Sequence, residues 1–99
     1  MDTERTIQTQ AVKELRKAGY TIGVTSNGRP TANTRGLPDV FAFVDEKFWI
    51  ALEFKSPSGK LSPEQMKLLA NRMIYICRSV DDAFDAVLDA QLRLKQENL

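Results

Sequence analysis

Two charged residues sit at the end of a strand too apolar to need them. Residues 48–55 read FWIALEFK, and the run closes on Glu53 and Lys55. Side chains alternate between the faces of a strand, so Trp49, Ala51, Glu53 and Lys55 share one face and Ile50, Leu52 and Phe54 the other. Residues 39–44, DVFAFV, read as a partner strand across the turn Asp45-Glu46-Lys47, with Asp39, Phe41 and Phe43 on one face. A turn centred on Glu46 sets Val44 opposite Phe48 and Asp39 opposite Glu53. Directly opposed residues share a face, with Cβ atoms about 4.5–5.5 Å apart. Two carboxylates that close repel each other, and a divalent cation removes the conflict. Carboxylate oxygens suit Mg²⁺ or Mn²⁺. Lys55, one pleat away, would stand beside the ion. The plainer alternative is a strand-end Asp in a turn and a solvated Glu–Lys pair. A turn centred on the Glu46–Lys47 bond would put Asp39 and Glu53 on opposite faces and leave no site.

The rest of the chain must position these residues. Residues 3–18 read as an amphipathic helix, with Ile7, Ala11, Leu15 and Ala18 on one face, capped by Asp2 or Thr3 and ended by Gly19. Residues 20–25 read as a short strand, followed by a polar loop, SNGRPTANTRGL. SPSGK at 56–60 is a second loop. Ser62 caps the next helix, Pro63 takes its first position, and Gln65 closes a capping box; the helix ends near Asn71. Residues 73–78 read as a buried strand. The last helix, about 81–97, shows Phe84, Val87, Leu88 and Leu92 on one face. The order is α-β-β-β-α-β-α. The second and third strands should form an antiparallel hairpin, and the Ser62 helix should cross over to a strand parallel to the third. Both faces of the hairpin are apolar, so helices should cover both sides of the sheet. Trp49, Phe41 and Phe43 read as core in preference to base-stacking platforms, and Cys77 as buried and inert.

Composition narrows the chemistry. The 99 residues, with 42% hydrophobic and 27% charged content, suit one soluble globular domain. The net charge of +1 announces no nucleic-acid or membrane partner in bulk. There is no His, which excludes Ser-His-Asp and Cys-His catalysis and His-ligated zinc. One Cys permits no intrachain disulfide and makes a reducing, cytoplasmic setting the expectation. No run approaches a membrane span, and the polar N-terminus, MDTERTIQTQ, lacks a signal peptide's apolar stretch.

Pro38-Asp39, thirteen residues, then Glu53-Phe54-Lys55 resembles the PD-(D/E)XK nuclease signature. Gly36-Leu37-Pro38-Asp39, Trp49 to Lys55 and Gly59-Lys60-Leu61-Ser62-Pro63-Glu64-Gln65 narrow the likeness to the virus-type replication-repair nuclease (VRR-NUC) family. The resemblance covers about residues 4–80. It implies an α/β fold with a restriction-endonuclease-like αβββαβ core: a mixed central sheet flanked by helices, here with an extra C-terminal helix. It further implies that the backbone carbonyl of Phe54 joins Asp39 and Glu53 as a metal ligand. Glu4, three residues before Ile7 on the first helix, would reach the site through water or a second metal; a first-turn acidic residue also favours the helix dipole by itself. Gln65 matches the Gln that follows the family's Ser-Pro-Glu. It would bond a metal water or Lys55, a role that competes with its capping one for a single side chain.

Arg29, Arg35 and Lys60 flank the motif and would hold phosphates, with Ser56 and Ser58 as further contacts. Gly28 and Gly36 would let backbone approach DNA. The expected activity is Mg²⁺- or Mn²⁺-dependent hydrolysis of DNA phosphodiester bonds by in-line attack of water. By resemblance, stand-alone domains of this size act in phage-type replication and repair, in a bacterial or phage-infected cytoplasm, as structure-selective endonucleases on branched DNA such as Holliday junctions. Cutting two strands of a junction takes two sites, so a two-fold homodimer is expected, with Ala83, Ala86, Ala90 and Leu94 as the stripe for its interface. The alternatives are a nucleic-acid-binding module that kept the fold without the chemistry, and a structural or partner-binding α/β domain with a chance motif.

Overall fold

Thr3 opens the first helix: its hydroxyl accepts the N–H of Thr6 at 3.2 Å and its carbonyl that of Ile7 at 3.0 Å. The computed structural model describes residues 3–24, 40–70 and 74–97. Helix α1, Glu4–Lys17, buries Ile7, Ala11, Val12 and Leu15. Ala18, expected on that face, is the exposed C-cap, because the helix has already turned out of register with the core. Gly19 follows at φ +102°, a left-handed conformation that glycine adopts without Cβ strain. Its N–H bonds to the Arg16 carbonyl and that of Tyr20 to the Leu15 carbonyl, both at 3.0 Å, the paired bonds of a Schellman end.

The chain then forms β1 (Thr21–Val24), β2 (Val40–Phe43), β3 (Trp49–Phe54), α2 (Pro63–Ala70), β4 (Ile74–Cys77) and α3 (Val80–Glu97). The fold is α/β, with a four-stranded mixed sheet in the order β1-β2-β3-β4. β1, β2 and β3 pair antiparallel, and β4 runs parallel to β3 after the α2 crossover. β2 and β3 pair Val40 with Leu52, Phe41 with Ala51, Ala42 with Ile50 and Phe43 with Trp49. This is the register of a turn centred on Glu46. Asp45 sets that turn, its Oδ1 accepting the N–H of Lys47 at 2.7 Å and of Phe48 at 3.1 Å, while Val44 donates to the Phe48 carbonyl at 2.9 Å.

The pleat sorts the side chains. Ile22, Val40, Ala42, Leu52, Phe54 and Cys77 form one face and pack with α1 and α3 into a single core. The opposite face carries Ala51 and Glu53, and Gln65 of α2 bonds to Glu53 there, so helices flank both sides. Further along that second face, Trp49 and Phe43 are 54% and 41% exposed, and Phe41 meets Trp49 edge-on at 4.9 Å. The expectation that Trp49 and Phe43 belong to the core is therefore corrected. α2 contacts β4 and leaves the far end of the hairpin open.

The buried face of α3 also differs from expectation. Ala83, Ala86, Val87 and Ala90 are buried, with Phe84 and Leu94 packed against the core, while Leu88 and Leu92 stand exposed. Small side chains let α3 lie close to α1 and the sheet, where a leucine stripe would hold it off. The Ala83, Ala86, Ala90 and Leu94 stripe is thus spent on the chain's own core and cannot be the interface of a dimer. No helix among the described residues is long and apolar enough to cross a membrane.

Candidate active site

Glu53 lies one residue from the end of β3 and is 3% exposed. A carboxylate held that far from water needs polar partners. Gln65 supplies one, donating from Nε2 to Glu53 Oε1 at 2.7 Å. The other end of the same amide closes the helix cap: Gln65 Oε1 accepts the Ser62 N–H at 3.0 Å, and Ser62 Oγ accepts the Gln65 N–H at 3.1 Å. The capping role is carried, and the amide's other end bonds Glu53, where the expected partner was a metal water or Lys55. The amide's two ends differ chemically, and Ser62's donor and Glu53's acceptor dictate which end faces which.

Lys55 is half-buried and continues the strand one residue past β3, its N–H bonding to the Cys77 carbonyl at 3.0 Å. By alternation it shares the face of Glu53. That same bond shows that odd-numbered β3 residues turn their peptide groups toward β4. The Phe54 carbonyl therefore turns toward β2, whose described part stops at Val40, opposite Leu52. Glu53 and the Phe54 carbonyl so present oxygen donors at one end of the sheet. Hard oxygen donors are the chemistry Mg²⁺ and Mn²⁺ take.

Glu4 is the first residue of α1 and is half-buried. α1 packs on the face opposite Glu53, so Glu4 could approach only around the sheet's end. A surface cavity of about 440 Å³, lined by Gln8, Val12, Lys13 and Val24 among others, sets the end of β1 beside the middle of α1. Glu4 lies a turn beyond, at the end where β3 carries Glu53.

Ser56 is half-buried, and its carbonyl accepts the Gly59 N–H at 3.0 Å. Ser58 and Lys60 are exposed beside it. Asp39, Arg29 and Arg35, with Gly28 and Gly36, lie outside the described residues. The observed β2–β3 register is the one the Asp39–Glu53 pairing calls for, up to the last described pair, Val40 and Leu52. Among the described residues no three carboxylate or thiol side chains gather as a metal would need.

Cys77 is buried on the core face, its thiol pushed up to about 12 by burial and then by the negative charges of Asp82 and Glu53. It stays protonated and unreactive at neutral pH, as expected. Arg78, which the sequence did not single out, donates from Nη1 to the carbonyls of Ser56 and Gly59, both at 2.8 Å. The signal available for it was the Ser79-x-x-Asp82 spacing, a helix cap directly after the strand. The Asp82 N–H bonds to Ser79 Oγ at 3.1 Å and Asp82 Oδ2 accepts the Arg78 N–H at 2.8 Å. No family model matches the chain, and no curated protein or solved structure matches it either.

Proposed function

We propose that this chain is a metal-dependent deoxyribonuclease of the VRR-NUC type, built on a restriction-endonuclease-like core and hydrolysing phosphodiester bonds in branched DNA. One observation carries the reading. A carboxylate, Glu53, is buried at the end of an apolar strand and braced by a helix-capping glutamine, with Lys55 next on the same face. A solvated surface Glu–Lys pair would need neither the burial nor the brace. The element order α-β-β-β-α-β-α and the mixed sheet order support the same reading.

Mg²⁺ or Mn²⁺ held by Glu53, the Phe54 carbonyl and Asp39 would polarise the phosphate and acidify a water. The chain's own residues supply the rest. Gln65 fixes the Glu53 carboxylate in one orientation, so its free energy of ordering is met on folding and not at the reaction. Lys55 orients the attacking water and offsets charge developing on the phosphate oxygens. Glu4 would act at the sheet's end through water. Ser56, Lys60, Arg29 and Arg35 would hold the DNA backbone on either side. A junction needs two cuts, so two copies would act together, through a surface other than the alanine stripe of α3.

Titration calorimetry with Mg²⁺ and Mn²⁺ tests the metal part of this reading. Wild type should bind and Glu53→Gln should bind at least about tenfold more weakly. Equal binding by the two would sink the assignment of Glu53 as a ligand.

A further inference from the structure

Lys55 is the group asked to work closest to the phosphate, yet it lies past the last residue of β3, at the mouth of a loop. Two adjacent residues hold it there. The Cys77 carbonyl takes the Lys55 N–H at 3.0 Å. Arg78, the next residue, reaches across with Nη1 to the carbonyls of Ser56 and Gly59, each at 2.8 Å, with that of Pro57 at 3.4 Å. Nη1 carries two hydrogens, so Ser56 and Gly59 take the two good bonds and Pro57 a weak share. The cap of α3 fixes Arg78 in turn, through Asp82 and Ser79. Gly59 closes the turn with its N–H on the Ser56 carbonyl at 3.0 Å.

We propose that Arg78 is a positioning residue for Lys55, locking the 56–59 turn that follows it so that the ammonium holds one geometry against a bound phosphate. The proposal rests on the nuclease reading above. A guanidinium gathering three carbonyl dipoles makes charge-assisted bonds that a neutral side chain cannot replace. Small displacements of a reacting group cost rate steeply, up to about a hundredfold per ångström.

The test is single-turnover and steady-state cleavage of a four-way DNA junction in Mg²⁺, together with amide hydrogen exchange on the full chain without DNA. Arg78→Met should slow cleavage about 10- to 100-fold, with KM for DNA within about threefold of wild type. Arg78→Lys, which keeps a charged donor, should recover part of the rate. In a Lys55→Ala background, Arg78→Met should add less than about twofold, because Arg78 acts through Lys55. Exchange at the Gly59 and Lys55 amides should quicken while Leu52 stays protected. Multiplying losses in the double variant, a wild-type rate for Arg78→Met, or unchanged exchange at Gly59 would overturn the proposal. If Arg78→Met does not fold, Arg78→Gln, which keeps a neutral donor, should show a smaller rate loss with the same dependence on Lys55. If wild type cuts no DNA, the nuclease reading fails, and amide exchange alone decides whether Arg78 braces the turn: quickened exchange at Gly59 and Lys55 in Arg78→Met shows the brace, and unchanged exchange overturns it.

Discussion

Gln65 faces two partners at once, giving its Nε2 hydrogen to Glu53 at 2.7 Å and taking the Ser62 N–H on its Oε1 at 3.0 Å. The start of α2 and the buried carboxylate of β3 are therefore fixed by one planar amide. Gln65→Ala should cost about 2 kcal/mol, chiefly by removing the donor to a buried carboxylate. Gln65→Glu separates the two roles: it keeps an acceptor for the cap but sets a second carboxylate against Glu53. Two such groups cannot both ionise, so one carboxyl pKa rises in the folded state above its unfolded value of about 4.3. The penalty is full above the raised pKa and is relieved as pH falls through it. Thermal unfolding at pH 7 and pH 5 should show both variants closer to wild type at pH 5, with the larger change for Gln65→Glu, because Gln65→Ala removes one hydrogen bond to the ionised form whereas Gln65→Glu adds a second charge. A pH-independent loss for Gln65→Glu would contradict the contact.

Cys77 gives a prediction at the alkaline end. Its thiol is held near 12 in the fold, by burial first, against an ordinary value of 9.0. The unfolded chain loses this proton first. Stability from this group is intact below about pH 9 and should fall by about 1.4 kcal/mol per pH unit above it, until the folded pKa is reached. Cys77→Ala should flatten that slope in urea unfolding between pH 9 and 11. The native thiol should also resist alkylation at pH 8 and react once the chain is unfolded. Rapid alkylation of the native protein would show that the thiol is not buried.

The packing of α3 can be tested by opposed substitutions. Ala83→Leu enlarges a side chain with no exposure and should cost about 1–3 kcal/mol. Leu88→Ser changes a residue that is 56% exposed and should stay within about 0.5 kcal/mol. Denaturant midpoints for the two should differ in that order; the reverse order would mean that the leucine face is the one packed inward.

The hairpin was legible but its register was not: both faces of the strands are apolar, so the pattern left two turns open, and the Asp45 hydrogen bonds to Lys47 and Phe48 decide between them in the fold. The Ser62–Gln65 cap was legible from its spacing alone. Its bond to Glu53 was not, because Glu53 lies 12 residues upstream and meets Gln65 only once α2 has crossed the sheet. α3 misled because leucine outranks alanine in hydrophobicity, whereas the close approach of helix and sheet selects small side chains. Arg78 read only as the last residue of the 73–78 strand. Its partners are backbone carbonyls about twenty residues earlier, which no side-chain pattern advertises. Asp39, on which the metal reading of the sequence leaned equally, lies outside the described residues, so that half of the site stands on the sequence argument and the register leading up to it.

The central claim is that Glu53 serves metal-dependent cleavage of DNA. The most direct measurement is cleavage of an end-labelled four-way junction and a matched linear duplex, in Mg²⁺ and in Mn²⁺, by wild type, Glu53→Gln and Asp39→Ala. Wild type should make paired, symmetric cuts in the junction that chelator abolishes, with either variant slowed by at least about a thousandfold and Glu53→Gln still folded. No cleavage by wild type in either metal, or wild-type rates from Glu53→Gln, would contradict it and favour a nucleic-acid-binding module on the same fold.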